Sequence, residues 1–331
     1  MNINKQIEEN GFIKVDSKEE INFVKEIKKL KKEKNAIILA HYYVNSEIQD
    51  IADFVGDSLA LSQQAAKTKA DMIVFAGVHF MAETAKILSP EKKVILPDLN
   101  AGCSMADSCP ADDFAEFLKD YPNHTVVSYV NTTAEVKRLT DIVCTSSNAK
   151  QIIESIPEDQ NIVFAPDRNL GNYISRETGR EMVIWDGACH VHVEFSLEGI
   201  LQLKKAYPDS LIIAHPECES PVLKIADFVG STSQLINFTK ESDAQKFIIA
   251  TEPGVIHEMQ KQSEGKMFIP APGEDADCAC SECEFMKRHT LEKLYTAIKY
   301  EAPEILLSDD VIREAKQSII RMLEISEKLK I

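Results

Sequence analysis

The sequence predicts an α/β protein built from three similar α/β/α three-layer domains with parallel sheets. Two observations lead to this prediction. The hexapeptide IADFVG occurs at residues 51–56 and again at residues 225–230. Short Val- and Ile-rich runs also alternate with helix-like stretches along the chain, a rhythm typical of parallel strands that helices cover on both faces.

A shared register extends the hexapeptide to a third copy. In each copy an apolar run ends in an aromatic residue, and an aspartate follows 12 residues later (53 − 41, 141 − 129 and 227 − 215). A hydroxyl residue comes five positions after each aspartate. The runs end at His41, Tyr129 and His215, the aspartates are Asp53, Asp141 and Asp227, and the hydroxyl residues are Ser58, Ser146 and Thr232. Three agreeing registers indicate an internal repeat.

The repeat period gives the domain size. The aromatic residues are 88 and then 86 positions apart (129 − 41 and 215 − 129), which is too long for a solenoid unit and suits a small domain. We therefore predict domains at residues 1–107, 108–193 and 194–331. The first carries an N-terminal helix, and the last carries closing C-terminal helices.

Each predicted sheet has four strands, one for each apolar run. In chain order the runs are AIILA, DFVG, MIVFAG and KVIL, then TVVS, DIV, NIVFA and MVIW, then LIIA, DFVG, FIIA and MFIP. Ser17 and Glu20 form a capping-box pattern at the start of the N-terminal helix. Residues 290–299 and 310–329 are amphipathic and are expected to pack back on the body.

The composition excludes several classes of function. With 53 acidic and 37 basic side chains, the formal charge of −16 argues against binding to nucleic acid or to an anionic membrane surface. No apolar stretch reaches the roughly 18 to 20 residues of a membrane helix, and the N-terminus MNINKQIEEN lacks a signal-peptide core. A cytoplasmic protein is expected. Eight cysteines in such a chain indicate metal or redox chemistry more than a disulfide framework.

The ends of the first two strands in each unit carry the polar groups. Ligands of open parallel sheets bind outside the carboxyl ends of the strands, where His41, Tyr129 and His215 are predicted to lie. The three hydroxyl residues fall near helix starts, whose N–H groups hold carboxylates or phosphate without a lysine. The alternative is that each hydroxyl is only an N-cap. The repeated aspartates are interpreted as structural.

The loop after each fourth run carries cysteine. The first loop has Cys103 and Cys109, the second has Cys189, and the third has Cys278, Cys280 and Cys283. Three thiolates from three domains fit a [4Fe-4S] cluster with one open iron better than a four-ligand structural zinc site. An open iron is a Lewis acid that can assist loss of a hydroxyl group. Cys144 and Cys218 are expected to be buried.

Several sequence blocks resemble the quinolinate synthase family over nearly the whole chain. They are AHYYVNSEIQDIADFVGDSL, GVHFMAETAKILSP, PDLNAGCSMAD, YVNTTAEVK, TSSNA, HPEC and CEFMKRHTLEKLY. The resemblance implies three α/β/α domains related by a pseudo-threefold axis, with the active site at the central junction. It also implies a transferase of NAD biosynthesis, which condenses iminoaspartate with dihydroxyacetone phosphate to quinolinate and releases phosphate and water.

The resemblance also implies roles for individual residues. The metal ligands would be Cys103, Cys189 and Cys283 of a [4Fe-4S] cluster, with Cys280 as the alternative third ligand. The catalytic residues would be Tyr43, Glu217, His41 and His215, with Tyr43 as acid/base and Glu217 as its partner carboxylate. The substrate would be bound by His41, Ser58, Tyr129, Asn131, Ser146, His192, His215, Glu217 and Thr232. An enzyme that produces iminoaspartate is an expected partner.

Two other functions stay open at this point. A different hydro-lyase with an open iron, acting on another small hydroxy acid, would use the same cluster. A ligand or metal sensor would use the same cavity without catalysis, although the chain shows no DNA-reading module for that role.

Overall fold

Twelve parallel β-strands form three separate sheets in the part of the chain that the computed structural model describes, residues 2–15, 20–274 and 281–330. Each sheet has four strands in the order second, first, third, fourth. The α/β class with parallel four-stranded sheets is therefore confirmed. The strands are β1 (Ala36–His41), β2 (Phe54–Gly56), β3 (Met72–Ala76), β4 (Lys93–Ile95), β5 (Thr125–Tyr129), β6 (Ile142–Cys144), β7 (Ile162–Ala165), β8 (Val183–Ile184), β9 (Leu211–Ala214), β10 (Phe228–Val229), β11 (Lys246–Ala250) and β12 (Met267–Pro270).

Helices connect the strands, as parallel pairing requires. A short 3-10 helix spans Met286–Arg288. The α-helices are α1 (Ile3–Asn10), α2 (Phe23–Glu33), α3 (Ser46–Gln49), α4 (Ser58–Lys67), α5 (His79–Leu88), α6 (Ser104–Asp107), α7 (Ala111–Leu118), α8 (Ala134–Arg138), α9 (Ala149–Glu154), α10 (Arg168–Thr178), α11 (His190–Val193), α12 (Leu197–Ala206), α13 (Ser220–Ile225), α14 (Thr232–Glu241), α15 (Val255–Gln262), α16 (Leu291–Tyr300) and α17 (Asp309–Leu329).

The chain divides into two compact units. The first unit comprises Met1–Cys103, Thr133–Arg138 and Glu284–Lys316, and it contains the sheet β1 to β4. The second unit comprises Ser104–Thr132, Leu139–Cys283 and Gln317–Ile331, and it contains the other two sheets. The three domain boundaries and the pseudo-threefold arrangement stay predictions.

The repeated aspartates have a structural role in all three sheets. Each lies just before the second strand of its sheet, and its carboxylate accepts the backbone N–H of a first-strand residue at 2.7 to 2.8 Å. The backbone N–H of the aspartate donates in return to the carbonyl of that same residue. The pairs are Asp53 with Ile38, Asp141 with Val126, and Asp227 with Ile212. The interpretation of these aspartates as structural is confirmed by these contacts.

Replacing Asp227 with alanine is expected to lower the free energy of unfolding by about 1 to 3 kcal/mol, because the buried N–H of Ile212 loses its acceptor. Urea unfolding of the purified protein measures this change. Asp227→Asn is the matched control, since its amide oxygen can still accept the N–H. An Asp227→Ala variant as stable as the wild type would contradict a stabilising role for this reciprocal pair of hydrogen bonds, here named the aspartate clamp.

The flanking helices follow the prediction except at the first cap. Helix α2 begins at Phe23, and its N-cap is Asn22, whose side chain accepts the N–H of Lys25 at 3.0 Å. The predicted cap residue Ser17 lies outside the described residues. Helix α16 begins after its cap Thr290 and packs on α2, where the rings of Tyr295 and Phe23 are 5.5 Å apart. The predicted packing of this helix is confirmed.

The cores of the sheets are almost wholly apolar. All five residues of β3 are buried, as are the central residues of β5, β7, β9 and β11. This pattern explains why the runs read as continuous rather than alternating hydrophobic segments. Among the described helices, none is both long and apolar enough to cross a bilayer.

Candidate active site

Buried aromatic side chains stand at the carboxyl ends of the first strands. His41 is the last residue of β1, Tyr129 is the last residue of β5, and His215 directly follows β9. In the neighbouring strands they are level with Gly56, Cys144 and the residue after Val229, which shows that the repeat register holds in space. The three side chains are at most 4% exposed.

Two of these histidines are held by the backbone in the same way. The Nδ1 atom of His41 accepts the N–H of Tyr43 at 3.2 Å, and the Nδ1 atom of His215 accepts the N–H of Glu217 at 3.4 Å. A neutral ring that accepts at Nδ1 carries its proton at Nε2. The main chain therefore directs a proton donor, Nε2–H, away from the strand end at both positions.

The three hydroxyl residues do not serve as helix caps. Asp57 is the N-cap of α4, and its carboxylate accepts the N–H of Ala60, so that Ser58 is the first helical residue. Ser231 caps α14 in the same way: its hydroxyl accepts the N–H of Gln234, its own N–H donates to the side-chain oxygen of Gln234, and Thr232 follows it. Ser146 precedes Asn148, which occupies the N-cap position of α9. The N-cap alternative therefore does not apply to these hydroxyls.

Glu217 is the centre of a buried polar network in the second unit. Its Oε1 accepts a hydrogen bond of 2.6 Å from the hydroxyl of Tyr129. The Nδ1 atom of His192 lies 2.9 Å from its Oε2, although the ring does not aim an N–H straight at that oxygen. The Nδ1 atom of His215 lies 3.7 Å from Oε1. The carboxylate thus joins residues from both sheets of this unit.

The two histidine rings of this network stack and reach further polar groups. The ring centroids of His192 and His215 are 4.7 Å apart with an angle of 27° between the planes. His192 Nε2 lies 3.0 Å from Oγ1 of Thr251, and His215 Nε2 lies 3.2 Å from Oγ of Ser146. Every member therefore has a defined orientation.

The electrostatics of the network keep Glu217 ionised. Burial alone would raise the pKa of this carboxyl, because a low-dielectric surrounding disfavours the charged form. The electrostatic influence of the neighbouring imidazoles of His192 and His215 and the hydrogen bond from Tyr129 outweigh burial and lower the pKa to about 2. Glu217 is therefore a permanent acceptor in the neutral range.

Two further predicted site residues, Tyr43 and Asn131, lie shortly after the first strands β1 and β5. In the first unit, the ring of Tyr43 packs edge-on against that of His41, with centroids 4.4 Å apart, and its carbonyl accepts a bond from Lys287. In the second unit, Asn131 follows β5, and its Oδ1 is buried without a hydrogen-bond partner in the described protein. A buried amide oxygen without a partner is costly and suits a group that a ligand satisfies.

The six described cysteines fall into two classes. Cys109, Cys144 and Cys218 are buried, whereas the predicted ligands Cys103, Cys189 and Cys283 are all partly exposed. Burial raises the pKa of Cys109 to about 12 and raises the pKa of Cys144 and Cys218 as well, which keeps them as inert thiols. The expected burial of Cys144 and Cys218 is confirmed. Cys278 and the alternative ligand Cys280 lie outside the described residues.

Two buried carboxylates beside the cysteines were not predicted. Asp167 follows β7 and Glu252 follows β11, so each comes after the third strand of its sheet, and both are fully buried. Burial and the charge of Glu217 raise the pKa of Asp167 well above its usual range, against hydrogen bonds from the backbone. The signal that could have found them is an acidic residue directly after an apolar third run, in the same register as the other strand-end residues.

Two further contacts of polar side chains were also not predicted from the sequence. Ser104, next to Cys103, places its Oγ 2.6 Å from Nδ1 of His190, the residue after Cys189. In the first unit the fully buried Lys137 lies with its Nζ 5.4 Å from the ring centroid of Phe80. Burial lowers the pKa of Lys137 to about 8, although Glu83 and Cys103 favour its charged form. Nothing in the sequence distinguishes this lysine from a surface lysine.

One family model matches nearly the whole chain. The model described as quinolinate synthetase A protein covers residues 25–324. The chain belongs to the quinolinate synthetase A family. Quinolinate synthases from Microcystis aeruginosa and Trichormus variabilis are 59% and 60% identical to it over 300 residues, 91% of this chain and 94% and 92% of theirs. The quinolinate synthase of Thermosynechococcus vestitus is 56% identical over 306 residues, 92% of this chain and 96% of its own.

The donor atoms of this family member allow two kinds of metal centre. Cys189, His192 and Glu217 offer sulfur, nitrogen and oxygen atoms that all lie within 4.8 Å of one another, a set that could hold a single ion. The iron-sulfur cluster that the sequence predicts, with Cys103, Cys189 and Cys283 as ligands, stays a prediction; the three thiols are partly exposed. Counting iron and sulfide distinguishes the two.

Proposed function

We propose that this chain is a quinolinate synthase, a transferase that condenses iminoaspartate with dihydroxyacetone phosphate to quinolinate, releasing phosphate and water. The match to the quinolinate synthetase A family over residues 25–324 carries the proposal. The buried network around Glu217, with its ionised carboxylate and oriented histidines, supports it because the reaction needs several proton transfers.

The substrates are anionic, and the site residues offer neutral or dipolar groups to hold them. Ser58 and Thr232 are the first residues of the ten-residue helices α4 and α14, at the positive ends of the helix dipoles. Asn131 offers an amide whose oxygen lacks a partner in the described protein. These groups bind carboxylates and phosphate although the chain carries a charge of −16.

The residues at the strand ends are the proposed proton donors and acceptors. His41 and His215 present Nε2–H as donors, because the main chain occupies Nδ1 of each ring. Glu217 accepts the hydroxyl of Tyr129 and lies 2.9 Å from Nδ1 of His192, so its carboxylate keeps both side chains beside the strand ends. Tyr43, packed on His41, is the acid/base that serves enolisation and phosphate loss.

Cys103, Cys189 and Cys283 are the proposed ligands of a [4Fe-4S] cluster, and their partial exposure supports this role. When bound, such a cluster with one open iron supplies a Lewis acid for the loss of the final hydroxyl group. The buried Cys109, Cys144 and Cys218 do not suit this role, since their raised pKa values oppose thiolate formation.

An anaerobic assay tests the function. Quinolinate is measured after adding iminoaspartate and dihydroxyacetone phosphate, and iron and sulfide are counted on the same sample. We expect product that disappears in air, with about four iron and four sulfide atoms per chain. A full cluster without quinolinate would refute the proposal and favour another hydro-lyase or a sensor. One iron without sulfide would indicate the mononuclear set at Cys189.

Tyr43→Phe is expected to reduce the rate of quinolinate formation by about 100-fold or more, because the phenol proton is lost. Its iron and sulfide content should stay that of the wild type, since Tyr43 offers no sulfur. Steady-state rates and metal counts on one preparation measure both. Tyr42→Phe, at the adjacent half-buried tyrosine, is the matched control and should turn over normally. Normal turnover by Tyr43→Phe would exclude the acid/base role.

The cellular setting stays a prediction. The cytoplasmic location is proposed from the sequence alone. A partner enzyme that produces iminoaspartate follows from the proposed reaction, because this imine is unstable in water.

A further inference from the structure

Two of the three proposed cysteine ligands are tied to buried carboxylates through their backbone. The N–H of Cys189 donates to Oδ2 of Asp167 at 3.2 Å. The N–H of Cys283 donates to Oε1 of Glu252 at a longer 3.4 Å. Both acidic side chains are 0% exposed, so water does not compete for these oxygens.

The second oxygen of each carboxylate is also occupied. Oδ1 of Asp167 accepts the N–H of Leu170 at 2.6 Å, which caps helix α10. Oε2 of Glu252 accepts the N–H of Gly254 at 2.7 Å, directly before α15. Each side chain therefore fixes the start of the next helix with one oxygen and a cysteine loop with the other.

The arrangement is equivalent in two sheets. Asp167 and Glu252 follow the third strands β7 and β11, and Cys189 and Cys283 come after the fourth strands β8 and β12 of the same sheets. The third and fourth strands are hydrogen-bonded neighbours in both cases. Recurrence at two equivalent positions argues that these contacts belong to the site and are not incidental.

We propose that Asp167 and Glu252 are positioning residues, which hold the backbone of Cys189 and Cys283 so that their thiols are fixed for an iron-sulfur cluster. This inference rests on the proposed function, because it assumes the cluster. Neither residue touches the substrate in this role. Both act through the cysteine that they hold, in the way that outer groups orient the ligands of other metal sites.

An amide side chain cannot replace either carboxylate. Asparagine or glutamine has one accepting oxygen, whereas two backbone N–H groups must be satisfied at each position. The shorter bond to the helix start is expected to keep that oxygen. The cysteine N–H then faces the donor –NH2 group, so the loop moves and the N–H becomes available to the sulfur atoms. Hydrogen bonds to sulfur are among the factors that set the reduction potential of a cluster.

The test uses Asp167→Asn and Glu252→Gln, reconstituted anaerobically beside the wild type. Iron release to 2,2′-bipyridyl, the reduction potential and the unfolding midpoint of the metal-free protein are measured. We expect an iron affinity about 10- to 100-fold lower in each variant. We also expect a less negative reduction potential, which a purely structural role would not produce.

The controls separate this inference from the proposed function. Asp227→Asn changes a carboxylate that also accepts a backbone N–H, but at the opposite strand end, and should release iron as the wild type does. Wild-type protein without four irons would refute the cluster and with it the proposed function. A loaded wild type with unchanged potential and iron release in the variants would overturn this inference alone. If Asp167→Asn does not fold, Glu252→Gln decides.

Discussion

Cys103→Ala, Cys189→Ala and Cys283→Ala are each expected to lose the cluster and to make no detectable quinolinate. A cluster that is held by only three thiolates has no spare protein ligand. Removal of one thiolate should therefore abolish cluster binding completely rather than weaken it gradually. The three residues are the partly exposed members among the described cysteines. Iron and sulfide counts with an anaerobic product assay measure both losses.

Cys109→Ala is the matched control for these variants. Its thiol is fully buried, and burial raises its pKa to about 12, so it is not available as a thiolate ligand. It should keep the cluster and turnover, with only a modest loss of stability. A Cys283→Ala variant that retains four irons would contradict the third ligand and make Cys280 the candidate.

Glu217→Gln is expected to lower kcat by about 100- to 10,000-fold with the cluster retained. Glutamine keeps the shape of the side chain but removes the negative charge that lies between His192 and His215. The hydroxyl of Tyr129 then loses its charged acceptor. Single-turnover rates and iron counts on the same preparation test this. A rate within a few-fold of the wild type would exclude Glu217 from proton transfer.

The pH dependence of stability gives a second measure of the same group. The folded pKa of Glu217 is about 2, below the ordinary 4.5. A lowered pKa means that the contribution to stability is present above pH 4.5 and is lost as the pH falls toward the folded value. This contribution of Glu217 to the free energy of unfolding is about 3 kcal/mol. Urea unfolding from pH 6 down to about pH 3 should therefore show a smaller loss for Glu217→Gln than for the wild type.

Much of the fold could be predicted from the sequence because it depends on the pattern of residues that lie close together in the chain. Continuous runs such as AIILA are buried on both faces, and a run of that kind has few alternatives to a parallel strand. The spacing of His41 to Asp53 was readable because strand, turn and aspartate lie close together in sequence. The predicted burial of Cys144 followed from its place inside a strand.

The remaining features depend on partners that are distant in sequence. Asp167 receives the N–H of Cys189 only after β7 and β8 pair, and Lys137 is buried only after its helix packs beside Phe80. The N-cap of α2 is Asn22, whereas the sequence pattern placed a cap at Ser17, which lies outside the described residues. Side-chain chemistry alone did not decide between them.

The aspartate clamps also bear on how the chain folds. Each clamp joins residues only 15 positions apart, as in Asp141 and Val126, so little chain entropy is lost when it closes. Contacts of such short range form early, whereas pairings of distant segments are slow. Each sheet can therefore set the register of its first two strands independently while the rest of the chain is still being synthesised. We therefore expect three separate folding nuclei, one in each copy of the repeat.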